Sequence, residues 1–279
     1  MKFSISSNFI ENKYFGILNP NTEDLLMPYE KDLGINPEPN LVYSYNNFGF
    51  RCDDFVKNHN GLHILFAGCS ETEGAANKLE DVWSHILYSK IKESEQTSGY
   101  YNVGKAGLTI SAIVMNILQY INDFGSPDYI FVQLPDQTRY VTWSPEDGFY
   151  PKYQVLGDNV SNIEWDIFFT KHDDPEILNI NILYNYLLLK NLIQFCKINN
   201  ISLIWSSWHH PSIEKFSSDT SLLEGYINTS TLNKEHWDIK IKDLKARDGY
   251  HFGRGFHKIW ANQFYKEFLN DKDHKKNNS

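Results

Sequence analysis

Four short apolar runs, each halted by a small or polar residue, constrain the fold of this chain more than any other feature. His63-Ile64-Leu65-Phe66-Ala67 stops at Gly68, and Tyr100-Tyr101-Asn102-Val103 stops at Gly104. Asp128 to Leu134 stops at Pro135, and Ser202 to Ser207 is the fourth run. Runs this short and this apolar suit strands buried on both faces of a parallel sheet. The stretches between them carry helical spacing instead. Residues 81–95 repeat Val82, Trp83, Ile86, Leu87 and Ile91, and residues 110–124 repeat Ile113, Ile117 and Tyr120. Residues 175–197 open on a proline suited to a first helical turn, and residues 252–269 read as a last helix. Strand and helix in alternation predict βαβ units, hence an α/β fold: a three-layer α/β/α sandwich with a mostly parallel central sheet.

The remaining stretches organise around that core. Residues 1–60 are rich in Asn, Pro, Tyr and Glu and read as an extension packed on the core, with one strand at 41–45. Residues 61–270 form the main domain. Within it, residues 136–174 are aromatic and punctuated by Pro and Gly, an irregular insertion. Residues 271–279 read as a solvated tail. A chain of 279 residues buries enough surface to fold without disulfides or metal. Its three cysteines, Cys52, Cys69 and Cys196, are widely spaced, with no CxxC pair. A net charge of −9 argues against a nucleic-acid partner. No secretory leader and no apolar stretch of spanning length stand out, so the expectation is a soluble, cytoplasmic or otherwise soluble protein with no membrane span.

In parallel α/β sheets ligands sit at the carboxyl ends of the strands, so the residues just after each run matter most. After the first comes Gly68-Cys69-Ser70-Glu71-Thr72-Glu73-Gly74, where Ser70 is either a helix N-cap or a nucleophile at the sheet edge. After the second comes Asn102-Val103-Gly104-Lys105-Ala106-Gly107, either a plain turn or a set of backbone N–H donors for an oxyanion. After the third comes Pro135-Asp136-Gln137-Thr138-Arg139, a polar cluster in which Arg139 can pair with Asp136. Near the carboxyl end stand Asp248 and His251, three residues apart and entering a helix, a spacing that lets an acid orient an imidazole. A serine, backbone donors and an Asp-x-x-His are together the parts of a serine acyl hydrolase.

On these residues the sequence resembles the SGNH/GDSL hydrolase superfamily. Ile64 to Gly74 is similar to its first block, with Ser70 at the nucleophile position. Asn102 to Gly107 is similar to its second block, which implies Gly104 as an oxyanion donor beside the N–H of Ser70. Asp248-Gly249-Tyr250-His251 matches its fifth block and implies Asp248 and His251 as the other triad members. Asn46 to Asp54 resembles a lead-in found in such proteins. The resemblance covers about residues 41–270 and implies the flavodoxin-like SGNH hydrolase fold with no metal or organic cofactor. There are two departures. Cys69 stands where the family has aspartate, and the third block reads Pro135-Asp136-Gln137-Thr138, which leaves Gln137 as the side-chain donor to the oxyanion.

The implied activity is hydrolysis of carboxylic esters through an acyl-enzyme on a small-molecule or carbohydrate substrate. Tyr140, Trp143, Phe149, Tyr150 and Tyr153 either form the insertion's own small core or a wall that stacks on sugar, which would suit an O-acetyl ester. The altered third block favours a rival from another class, a binding or structural module that keeps the fold without the chemistry. A metal-dependent hydrolase built on His209, His210, Asp248 and His257 is weaker, because adjacent histidines do not easily share one site and no HExxH occurs. His257 alone reads as a packing or capping residue of the last helix. Cys69 is an unsuitable nucleophile, since in the resembled family the turn presents the next residue.

Overall fold

The computed structural model describes residues 43–135, the backbone of 140–144 and 148–152, residues 175–207 with side chains from 183, residues 225–227, residue 246 and residues 251–277. Its strands are β1 (Ile64–Gly68), β2 (Tyr101–Asn102), β3 (Tyr129–Leu134), β4 (Tyr140–Ser144), β5 (Gly148–Lys152) and β6 (Ser202–Ser207). Its helices are α1 (Ser70–Glu73), α2 (Trp83–Lys92), α3 (Ile110–Phe124), α4 (Pro175–Ile198) and α5 (Arg254–Asn277).

The main sheet runs β2-β1-β3-β6, and every neighbouring pair is parallel. Beyond β6 the N–H of Trp205 donates to the carbonyl of Gly225, and the N–H of Ile227 donates to the carbonyl of Trp205, extending the sheet by one bridge. The chain leaves β1 to form β2 on one side and then crosses to form β3 on the other. This reversal makes the carboxyl end of β1 a topological switch point, the place where ligands bind in folds of this kind.

Strand alternation divides the core in two. Leu65, Ala67, Ile130, Val132 and Trp205 face one way and pack with Ile113 and Ile117 of α3 and Leu189, Leu192, Ile193 and Cys196 of α4. Ile64, Phe66, Tyr129, Phe131 and Ile204 face the other way and pack with Trp83, Leu87 and Ile91 of α2 and Trp260, Phe264 and Phe268 of α5. The three-layer α/β/α sandwich expected from the alternating runs is therefore the architecture observed. Among the described residues no helix is long and apolar enough to cross a membrane.

Three local expectations change. Residues 43–45 are not a strand. The side chain of Asn46 accepts the N–H groups of Phe48 and Phe50, both at 3.0 Å, and turns the chain there. The aromatic insertion holds an antiparallel hairpin, β4 with β5, in which Trp143 lies opposite Phe149 and Thr142 opposite Tyr150. The last helix continues through Asn277, past the boundary at 271. Asp271 explains this: its carboxylate accepts the hydroxyls of Tyr129 (2.9 Å) and Ser202 (2.8 Å), which ties the helix to two strands. Within the stretch 1–60, Phe50 and Phe55 join the first core, and residues 1–42 lie outside the described residues.

Candidate active site

β1 ends at Gly68 because the chain must fold back on itself there. A Cβ on Gly68 would sit 2.0 Å from Thr72 Oγ1 and 2.7 Å from the carbonyl oxygen of Gln133. The turn that follows is closed by the carbonyl of Cys69, which accepts the N–H groups of Thr72 (2.9 Å) and Glu73 (3.0 Å). Ser70 is therefore the first residue of α1, at the carboxyl end of β1. Its hydroxyl is 4.0 Å from the Cys69 thiol, and its N–H has no acceptor among the described residues. Cys69, where an aspartate is usual in the resembled family, is fully buried and free. A thiol tolerates that burial, whereas an ionised carboxylate would need partners.

The loop after β2 is fastened to this turn. A Cβ on Gly104 would lie 2.8 Å from Thr72 Cβ, so the glycine makes room for the serine turn. The N–H of Gly104 is not open: it donates to Asn102 Oδ1 at 2.8 Å. Asn102 Nδ2 in turn donates to the Thr72 carbonyl (2.8 Å) and to the Tyr100 hydroxyl (3.0 Å). Further along, the N–H of Leu108 donates to the Lys105 carbonyl at 3.3 Å, and Gly107 has φ +81°. Residues 105–108 thus form a turn whose third position needs a left-handed φ, the reason for glycine there. The Gly107 N–H has no acceptor among the described residues.

The segment that enters α5 meets the serine turn directly. The N–H of Phe252 donates to Glu71 Oε1 at 3.4 Å, and Asn77 Nδ2 donates to the Phe252 carbonyl at 2.9 Å. His251, the preceding residue, is half-buried, and its carbonyl accepts the N–H of Ala246 at 2.9 Å. His251 is thereby held next to the residue that follows Ser70. Asp248 and Gln137 lie outside the described residues, as do His209, His210 and Tyr153.

His257 is fully buried in α5, where Nδ1 accepts the Trp83 N–H at 3.2 Å, so it caps α2. That bond leaves the ring proton on Nε2, which is 3.6 Å from Glu71 Oε2. Burial, with the neighbouring His251 adding to it, pushes the His257 imidazole down to about 3. Sequence reasoning gave no role to the lead-in arginine. Arg51, nearly fully buried, donates to the carbonyls of Glu73 (3.3 Å), Gly74 (2.8 Å) and Asn77 (3.0 Å), and its guanidinium lies 4.1 Å over the Tyr43 ring. The lead-in motif was visible, but which carbonyls it would reach was not.

No family model matches the chain, and no curated protein matches it. Solved structures do. A protein of the G-D-S-L family from Desulfitobacterium hafniense DCB-2 is 10% identical, with a TM-score of 0.46, over 73% of this chain and 97% of that one. The psychrotrophic esterase EstA from Pseudoalteromonas sp., in a structure inhibited by monoethylphosphonate, is 16% identical, with a TM-score of 0.45, over 74% and 98%. TesA is 11% identical, with a TM-score of 0.43, over 73% and 96%.

Proposed function

We propose that the chain is a serine hydrolase that cleaves carboxylic esters through an acyl-enzyme, with Ser70 as nucleophile, His251 as general base and Asp248 orienting the imidazole. The observation that carries this reading is the bond from the Phe252 N–H to Glu71 Oε1, which joins residues 181 positions apart and brings the histidine segment to the serine turn. His251 takes the proton of Ser70 as Oγ attacks the ester carbonyl carbon. The oxyanion forms between backbone donors. His251 then passes its proton to the departing alcohol. Water, deprotonated by His251, attacks the acyl-serine and releases the acid, returning the proton to Ser70.

The donors in this scheme are the N–H groups of Ser70 and Gly107, with Gln137 as a side-chain donor. Gly107 takes the place first given to Gly104, because the Gly104 N–H is spent on Asn102. The substrate we favour is an O-acetyl ester on a carbohydrate, the class that the aromatic composition of residues 140–153 suits. The engaged Gly104 N–H also supports a second reading, a non-catalytic module with the same fold.

Wild type is expected to hydrolyse a short-chain aryl ester and to react with a fluorophosphonate probe. Ser70→Ala is expected to lose about 1,000-fold or more in kcat and to lose labelling. Equal turnover in the two proteins defeats the assignment, and a wild type that neither turns over nor labels supports the second reading.

A further inference from the structure

A single carboxylate joins the two halves of the site. Glu73 ends α1, three residues after Ser70, and is 5% exposed. Oε1 accepts the Lys105 ammonium at 2.6 Å and the Tyr45 hydroxyl at 3.2 Å. Oε2 accepts the N–H of Ala106 at 2.6 Å. Lys105 is 4% exposed, and its ammonium also lies 4.0 Å over the Tyr45 ring. The carboxylate therefore receives a charge-assisted bond from the loop's side chain and another from the loop's backbone, at the residue just before Gly107. A buried ion pair of this kind adds little net stability, since desolvating both charges cancels most of the attraction. What it supplies is a fixed geometry.

We propose that Glu73 is a positioning residue for the reaction at Ser70: it holds the turn 105–108, and with it the Gly107 N–H, at a set distance from the nucleophile. This inference rests on the serine-hydrolase reading, since it gives the clamped turn the task of meeting an oxyanion. The lead-in takes part as well, because Tyr45 closes the clamp from outside and Arg51 grips the carbonyl of Glu73 from beneath. A donor displaced by even a fraction of an ångström loses its advantage in the transition state while hardly affecting ground-state binding. The signature is a loss in kcat without a matching change in KM.

The experiment compares four full-length proteins: wild type, Ser70→Ala, Glu73→Gln and Glu73→Gln with Lys105→Met. The double variant removes the ammonium that the single leaves buried without a counter-charge, so it supplies the measurement if Glu73→Gln does not fold. In the folded variant, kcat for an aryl acetate is expected to fall about tenfold or more, with KM within about twofold of wild type. The amide of Ala106 is expected to exchange faster with deuterated solvent. A folded variant with wild-type kcat, a loss confined to KM, or unchanged exchange at Ala106 each overturns the proposal. If wild type shows no turnover that depends on Ser70, the esterase reading fails instead, and exchange at Ala106 alone decides whether Glu73 holds the turn.

Discussion

At the scale of single residues, the serine turn is set by steric room as much as by hydrogen bonds. Gly68 and Gly104 flank Thr72 so closely that neither tolerates a Cβ without displacement. Gly68→Ala forces Thr72 and the Gln133 carbonyl apart, which is expected to cost about 1–3 kcal/mol in a urea melt and to lower kcat as Ser70 shifts. Ser70, His251 and the loop after β2 could be singled out in the sequence as candidates because their signals are local: a small-residue turn after a buried strand and an Asp-x-x-His before a helix. Glu73 could not. In a run reading Cys69-Ser70-Glu71-Thr72-Glu73, nothing local distinguishes a solvated carboxylate from one buried against Lys105 some thirty residues away. The part played by Gly104 is likewise not a local one. Its value is the space it leaves for Thr72, a property of two loops together, while its N–H serves Asn102.

At the scale of elements, the strands were readable almost to the residue because burial on both faces leaves uninterrupted apolar runs. Ser202–Ser207 coincides with the expected run, and β3 starts one residue later than expected. The hairpin was hidden because its residues mix aromatics with Thr, Ser and Pro and show no alternation. The end of α5 was hidden because 270–277 is polar throughout, and no apolar stripe announces a helix there. Its anchor is a carboxylate shared by two hydroxyls. Asp271→Ala removes the acceptor of both Tyr129 and Ser202, which is expected to cost about 1–3 kcal/mol. The check is amide exchange along α5: protection is expected to drop from residue 270 onward while Phe264 stays protected.

At the scale of the whole molecule, two imidazoles are folded away in their neutral form. Burial pushes His257 down to about 3, and burial together with the stacked His59 ring at 3.4 Å pushes His63 down to about 3. Both bind protons more readily unfolded, near 6.5, than folded, so the unfolded state gains from acid first. Stability is therefore expected to be insensitive to these groups above about pH 6.5 and to fall from there toward pH 3. His257 alone contributes a slope of up to about 1.4 kcal/mol per pH unit. Urea midpoints across that range test this, and His257→Gln is expected to flatten the slope. The bond between Phe252 and Glu71 also has a bearing on biosynthesis. On the proposed mechanism, the Ser70 hydroxyl leaves the ribosome well ahead of His251, the base assigned to it. A polypeptide ending before the last described helix would then carry Ser70 without the base proposed for it. If the proposal holds, ester cleavage therefore waits until the segment carrying His251 has been made and folded onto the serine turn.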